Sequence, residues 1–329
     1  MIPPEPSSGE AMSSIKQAVS SRIKLVTLIG IAVVLIVVFS LATPFFLSTK
    51  NFINVVVHSS ILAMLAIGMT FVIISGGLDL SVGSIIAFAG VLGVLAYGRT
   101  GSVALGLAIC VLSGCAMGIL NGLLIGYMRI NAFIATIATL AIYRGATLMI
   151  TGGRTISVTR PAFNYLGQGQ ILRIPVIIIL LVLMYALFHF VLRRTVFGRS
   201  VYAIGGNSLA ARVSGIRVRF MTLVVYALSG ILAGICAVFV IGRLSSLQPW
   251  AGQGAEFETI VAIVLGGINI AGGEGDLLES MAGVVIIAII LNALNLIQAI
   301  NPFYHYIVKG AIIIGAIAIY ERLKIYGTR

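Results

Sequence analysis

The amino-acid sequence predicts an all-α, polytopic membrane protein with about ten transmembrane helices and both termini in the cytoplasm. Hydrophobic residues make up 60% of the 329 positions and charged residues only 9%, against roughly 45 to 50% and about 25% in a soluble domain. Apolar runs recur from residue 25 almost to the C-terminus, and several reach the roughly 20 residues that a bilayer requires. Lipid is therefore the predicted solvent for most of the chain.

The N-terminal segment differs from the rest of the chain. Residues 1–20 contain three prolines and several serines, which is typical of a short disordered tail, and residues 21–329 form one predicted transmembrane domain. The first apolar run ends in small residues near 40–42, which also fits a cleaved signal peptide. We prefer a spanning helix because the run is long and uninterrupted.

The apolar runs and the basic residues between them predict the membrane topology. Of the 21 basic residues, 13 lie in one alternate set of gaps, six lie in the other set, and Arg144 and Lys309 lie inside spans. The positive-inside rule places the first set, with both termini, in the cytoplasm. The predicted spans are 25–43, 53–75, 81–98, 102–127, 131–150, 174–192, 220–242, 257–272, 278–298 and 303–320.

The fourth span carries a glycine at every fourth position, namely Gly114, Gly118, Gly122 and Gly126. This step leaves one face of the helix without side chains. Such a face allows a second helix to approach closely. We interpret the ridge as a packing surface.

Asp79 is the only acidic residue between Glu10 and Glu256, and it lies between two long apolar runs. A carboxylate inside a membrane is costly and needs an explanation. The local interpretation is that Gly76 or Gly77 ends one helix and that Asp79 caps the next, which begins near Ser81. The alternatives are proton or substrate handling and an ion pair with Arg144 or Lys309.

Two short segments, 76–79 and 272–276, are each rich in glycine, contain an aspartate and are flanked by apolar spans. They are candidates for remnants of an internal duplication.

Amides recur every three residues in the ninth predicted span, at Asn292, Asn295 and Gln298. They fall along one side of an otherwise apolar helix, where they would line a path for a polyhydroxylated solute. The alternative is hydrogen bonding between helices without any solute. For the single polar residues Asn121 and His58, we expect structural hydrogen bonds.

The predicted cytoplasmic segment 193–219 contains the signature of a short helix. Asn207 is a good N-cap, the next six residues can form under two turns, and Gly215 can adopt the left-handed conformation that ends a helix. The segment therefore predicts a short surface helix, although a plain connecting loop would also fit.

The sequence lacks the motifs of several functional classes. It contains no GxxxxGK[ST] for binding ATP, no HExxH and no GxSxG, so we expect neither catalytic residues nor a cofactor. Its three cysteines lie in apolar runs without CxxC spacing and predict neither a metal site nor a disulfide. The net charge of +12 does not indicate nucleic-acid binding, because the basic residues lie in gaps between spans.

From about residue 50 onward, four separated groups of residues resemble the permease subunits of ribose-type monosaccharide ABC importers, in the branched-chain amino acid and sugar permease family. The first two groups are 77–84 and 131–136 with 144–145. The third comprises 197–199, 203–207 and 210–216. The fourth comprises 243–246, 248–249, Gly252, Gly254, Glu256, 264–267 and 272–273.

This resemblance implies a permease that moves a sugar such as ribose, allose, xylose or arabinose across the bacterial inner membrane. It also implies that the short helix is a coupling helix, which docks on a separate ATPase subunit that binds the ATP. The residues implied in coupling are Asn207, Ala210, Ala211, Arg212, Ser214 and Gly215.

The resemblance further implies a periplasmic sugar-binding protein and a pair of permease chains, either identical or paralogous. The chain departs from the family pattern where Ser208 and Leu209 stand in place of an acidic residue before the Ala-Ala pair. The rival hypotheses are a proton-coupled secondary transporter that uses Asp79 and an intramembrane enzyme, which the missing catalytic motifs disfavour.

Overall fold

The computed structural model describes residues 26–41, 43–158 and 161–296, together with residues 307, 310, 311, 314 and 315. The predicted tail, Gln298 and most of the predicted tenth span lie outside the described residues. The side chain of His58 also lies outside them.

Long apolar helices dominate the described part of the chain, as the sequence predicts. Seven of them are long and apolar enough to cross a membrane. They are α2 (Thr49–Ile74), α3 (Val82–Thr100), α4 (Val103–Gly126), α5 (Ala132–Thr151), α7 (Val176–Arg194), α10 (Val218–Leu244) and α12 (Leu277–Leu296). The all-α membrane fold is confirmed, whereas the total of about ten spans and the orientation of the termini stay predictions.

Shorter elements complete the described chain. The helices are α1 (Val26–Leu41), α6 (Pro161–Gln168), α8 (Val196–Gly206), α9 (Ser208–Val213) and α11 (Ala255–Leu265). Strand β1 (Ile156–Ser157) pairs antiparallel with β4 (Ser246–Leu247), and β2 (Gln170–Ile171) pairs antiparallel with β3 (Ile174–Pro175). The β1–β4 pair joins the chain after α5 to the chain after α10.

The predicted span at 257–272 is a shorter helix than the sequence suggested. Helix α11 has 11 residues, which gives a length of about 16 Å, against the roughly 30 Å of hydrocarbon in a bilayer. Gly254 adopts a left-handed conformation just before the helix, and Gly267 adopts one just after it. These glycines limit the helix to a shorter segment than the span that hydropathy alone predicts.

Helices α2 and α10 form the centre of the bundle. Of the most apolar 18-residue stretch in each helix, 82% is buried in α2 and 72% in α10, against 28% in each of α4, α5 and α7. The outer helices present large apolar side chains such as Leu112, Ile142 and Leu183 on their exposed faces. These faces suit contact with lipid.

The glycine ridge of α4 packs directly against α10, as predicted. A Cβ atom added to Gly114, Gly118, Gly122 or Gly126 would overlap or crowd backbone atoms of α10. The match is reciprocal, because a Cβ on Gly230 of α10 would overlap the backbone of α4. Close backbone approach along about three turns therefore fixes α4 to the centre of the bundle.

Candidate functional site

Helix α9 is the short surface helix that the sequence predicts. Asn207 is its N-cap, and the Oδ1 atom accepts hydrogen bonds from the backbone N–H groups of Leu209 at 3.0 Å and Ala210 at 2.9 Å. At the other end Gly215 has a φ of 86°. This left-handed conformation favours glycine. Local hydrogen bonds therefore define both ends of a six-residue helix.

Helix α9 rests on the bundle through one buried residue and exposes the rest. Ala211 is 4% exposed, whereas Leu209 and Val213 are 71% and 81% exposed. Arg212 and Ser214 are exposed as well. This arrangement presents apolar and basic side chains together on one exposed surface, which suits docking to another protein.

Helix α8 joins α9 to two other parts of the chain. Gly205 of α8 packs so closely on the end of α2 that a Cβ would overlap the carbonyl oxygen of Ile74. The same carbonyl accepts a hydrogen bond from the backbone N–H of Gly273 at 2.9 Å. Tyr202 of α8 donates its hydroxyl proton to the carbonyl oxygen of Gly275 at 2.6 Å. Burial raises the pKa of Tyr202 to about 12, so the hydroxyl stays a donor near neutral pH.

Five glycines make this contact, and we refer to them as the glycine junction. A Cβ on Gly272 would lie 2.9 Å from the Cα of Gly76, and a Cβ on Gly273 would lie 2.9 Å from the Cα of Gly206. Gly205 completes the set. Three segments distant in sequence therefore meet backbone to backbone: the end of α2, the end of α8 and the loop before α12.

Sequence reasoning missed an ion pair beside the glycine junction. The Arg193 guanidinium contacts Asp276 Oδ2, and His189 Nδ1 lies 3.4 Å from Asp276 Oδ1. Asp276 also accepts a hydrogen bond from the backbone N–H of Leu278 at 2.7 Å. Asp276 is 5% exposed, so its charge is held between α7 and the start of α12. The sequence signal for Asp276 was its position shortly after Gly272 and Gly273.

Asp79 lies in a buried polar network between α2 and α3. Its Oδ1 accepts hydrogen bonds from the N–H of Ser81 at 3.0 Å and the hydroxyl of Ser81 at 2.6 Å. The hydroxyl of Ser229 donates to its Oδ2 at 2.8 Å, and the Asn121 amide donates to the Ser81 hydroxyl at 2.8 Å. Asp79 therefore orders the turn before α3, although the N–H that it accepts belongs to the N-cap residue and not to the first helical turn.

The glycines of this turn have distinct roles. Gly76 takes the left-handed conformation with a φ of 82°. A side chain on Gly77 would crowd the hydroxyl of Tyr226 at 2.5 Å, and this hydroxyl donates to the carbonyl of Leu78 at 3.0 Å.

The alternative of an ion pair between Asp79 and Arg144 is wrong, because these two described residues do not pair. Arg144 Nη1 instead donates to the carbonyl oxygens of Pro249 at 2.6 Å and Ala251 at 3.1 Å. The guanidinium therefore holds the segment before α11. Lys309, the other candidate partner, lies outside the described residues.

Glu256 is another buried acid, for which the sequence predicts no separate role. It is 5% exposed, and its Oε1 accepts a hydrogen bond from the N–H of Gly254 at 3.2 Å. A Cβ on Gly83 of α3 would overlap its Oε2. The carboxylate thus fixes the start of α11 against α3.

The residues of the predicted amide stripe have different surroundings in the structure. Asn292 forms two hydrogen bonds with Asn51 of α2, at 3.0 and 2.9 Å. For Asn292, the structure therefore shows the alternative interpretation, hydrogen bonding between helices. Asn295 is exposed, and Gln298 lies outside the described residues. A role for Asn295 and Gln298 in a solute path stays a prediction.

Residues 51–317 match a family model described as the permease component of the branched-chain amino acid transport system. The chain is 36% identical to the ribose import permease protein RbsC of Haemophilus influenzae, over 87% of this chain and 89% of that protein. It is 39% identical to RbsC of Bacillus subtilis, over 86% and 88%.

The chain is also 37% identical to the L-arabinose transport system permease protein AraH of Escherichia coli, over 90% of each chain. No solved structure matches the chain.

Proposed function

The chain belongs to the family of permease components of branched-chain amino acid transport systems, and from that premise we propose that it conducts a monosaccharide through an ABC importer. It is a multi-pass protein of the inner membrane. The relatives named for ribose and L-arabinose support a sugar as the solute.

Membership of this family implies two kinds of partner, an ATPase subunit and a periplasmic binding protein. The ATPase would dock on α9. The single observation that carries this assignment is the geometry of α9, a capped helix with a buried alanine and otherwise exposed side chains. The residues that we assign to coupling are Asn207, Ala210, Ala211, Arg212, Ser214 and Gly215.

The glycine junction supports a route from α9 into the membrane. When the ATPase subunits close, α9 would move together with α8, because only Asn207 separates the two helices. Since glycine backbones leave no flexible side chains at the contact, displacement of α8 would reach α2 and the loop before α12. In this way ATP hydrolysis elsewhere would switch access to the solute path.

The solute path would lie between this chain and a second permease chain, identical or paralogous. Asn295 and Gln298 are our candidates for lining it. The chain would supply geometry, while the partner ATPase supplies the chemistry.

Reconstitution tests the proposed function. Liposomes that contain this chain, its ATPase and a sugar-loaded binding protein should hydrolyse ATP faster than liposomes without the binding protein, and they should accumulate the sugar. Liposomes with the chain alone should not. Accumulation against a gradient by the chain alone would rule out the assignment.

Gly215→Pro tests the role of α9 within that assay. Proline cannot adopt the positive φ of this position, so the end of α9 should be lost and uptake per ATP should fall about tenfold while membrane insertion persists. Gly101→Pro is the matched control, because Gly101 also takes a left-handed conformation after a helix but lies at the opposite end of α3 from the Asp79 turn. Equal uptake by the two variants would count against coupling through α9.

A further inference from the structure

A basic cavity lies beside α9, where α4 ends and α10 begins. Its volume is about 720 Å³. Four arginines line it: Arg129, Arg212, Arg217 and Arg219. None of its lining residues is acidic, and in the part of the chain that the structure describes none of these arginines forms an ion pair.

The backbone of Arg129 holds one of these charges in a strained conformation. Arg129 follows α4 with a φ of 60°, and the N–H of Ile130 reaches back to the carbonyl of Leu124 at 3.0 Å. This is the helix end at which glycine is favoured, because a Cβ atom is strained in the left-handed region. An arginine here therefore points to a use for its side chain.

The surroundings of the cavity are those of a membrane interface. Two membrane-spanning helices, α4 and α10, meet there, at the end of the bundle where the positive-inside rule predicts the cytoplasm. Tyr127 and Phe220 line the cavity and are about half exposed, as aromatic residues at the headgroup level commonly are. The Arg217 guanidinium lies 5.9 Å from the centre of the Phe220 ring.

An apolar track leads from the cavity toward the membrane interior. Leu120 and Leu123 are exposed, and they precede Tyr127 by seven and four residues in the same helical stretch. Residues at these spacings share one face of a helix. Acyl chains would follow this face while a headgroup occupies the cavity.

We propose that this cavity binds the headgroup phosphate of an anionic phospholipid. Guanidinium groups donate paired hydrogen bonds to phosphate oxygens, and basic pockets between helices at the cytoplasmic side suit such headgroups. The occupant is a lipid because the leucine track continues the arginine site into the membrane.

Lipid retention by the purified full-length chain tests this proposal. In detergent, native mass spectrometry should show preferential retention of dioleoyl phosphatidylglycerol over dioleoyl phosphatidylcholine. Because each arginine near an anionic membrane contributes roughly a fivefold gain in binding, the double variant Arg129→Gly with Arg217→Gln should lose roughly twenty-fivefold in phosphatidylglycerol affinity. Arg129→Gly also relieves the strained backbone, so poor folding is not expected to cause the loss.

Two further variants complete the test. Arg99→Gln with Arg154→Gln removes two exposed charges elsewhere and should retain phosphatidylglycerol as the unmodified chain does. Arg217→Lys keeps the charge but loses the paired hydrogen bonds, so its affinity should lie between those of the unmodified chain and Arg217→Gln. Equal retention by the site variant and the unmodified chain would overturn the proposal.

Two alternative occupants would also overturn it. Glycerol phosphate that displaces the lipid at equal concentration would identify a soluble anion. Loss of the ATPase subunit from the site variant, with lipid retention unchanged, would identify a protein contact.

Discussion

Asp79 illustrates how a carboxylate is accommodated in an apolar bundle. It is fully buried, and no basic side chain pairs with it among the described residues. Donors from Ser81 and Ser229 bond to its two oxygens instead. A buried donor left without an acceptor costs about 1 to 3 kcal/mol, so this network favours a structural role for Asp79.

Substitution of Asp79 should separate structure from proton coupling. Asp79→Asn keeps one acceptor oxygen for Ser81 and should destabilise the chain by about 1 kcal/mol. Asp79→Ala leaves three donors without an acceptor and should cost about 3 kcal/mol. Thermal melting of the purified chain in detergent would measure this order.

Uptake assays complete the test of Asp79. Asp79→Asn should keep ATP-dependent uptake, and a protonophore should leave uptake by the unmodified chain unchanged at constant ATP. Uptake that follows the pH gradient and disappears in Asp79→Asn would support the rival secondary transporter.

At the scale of single elements, helices α4 and α10 pack closely because glycines line the contact between them. In lipid, helix association gains little from the hydrophobic effect. Close packing of the two backbones must therefore stabilise the contact. Gly118 lies against the carbonyl of Tyr226. The contact leaves no space for a methyl group at residue 118.

Gly118→Ala should therefore separate α4 from α10 and destabilise the chain by about 1 to 3 kcal/mol. Gly145→Ala is the matched control, because Gly145 lies within spanning helix α5 with no described atom within 4 Å of a Cβ. Alanine should be neutral or slightly stabilising there, given its higher helix propensity. Melting temperatures in detergent would distinguish the two, and equal melting would refute the ridge as a packing surface.

Two other elements share a local design. Before α3, Asp79 accepts the N–H two residues ahead, and before α12, Asp276 does the same. Glycines with positive φ precede both aspartates, at Gly76 and at Gly272. The two turns also contact each other. This parallel agrees with the duplication that the sequence suggests.

At the scale of the whole molecule, the glycine junction connects the surface helix to the membrane core. Gly205→Ala should push α8 away from the end of α2, because its Cβ would overlap the Ile74 carbonyl. Overpacking of this kind costs about 1 to 3 kcal/mol, and 1.4 kcal/mol corresponds to a tenfold change in an equilibrium. We expect uptake per ATP hydrolysed to fall about tenfold in the reconstituted importer.

The neighbouring glycine supplies the control for that variant. Gly206 has no described atom within 4 Å of a Cβ, so Gly206→Ala should preserve uptake. If both alanine variants transport normally, α9 transmits its movement by another route.

The sequence by itself determined the features that arise within one helix or a few residues. Run length and hydropathy predicted the spanning helices, because each helix in lipid must satisfy its backbone hydrogen bonds internally. Asn207 and Gly215 predicted the limits of α9, because caps bond to neighbours within the chain. Regular spacing likewise revealed the ridge of α4, although not its partner.

Only the tertiary structure decided which distant residues the buried polar groups contact. Asn292 pairs with Asn51, which is 241 residues away, and Arg144 contacts the carbonyls before α11 instead of Asp79. Arg193 and Asp276 meet because the end of α7 contacts the loop before α12. A buried polar group must bond to whatever partner packing brings near it. That partner belongs to another segment, so local sequence does not specify it.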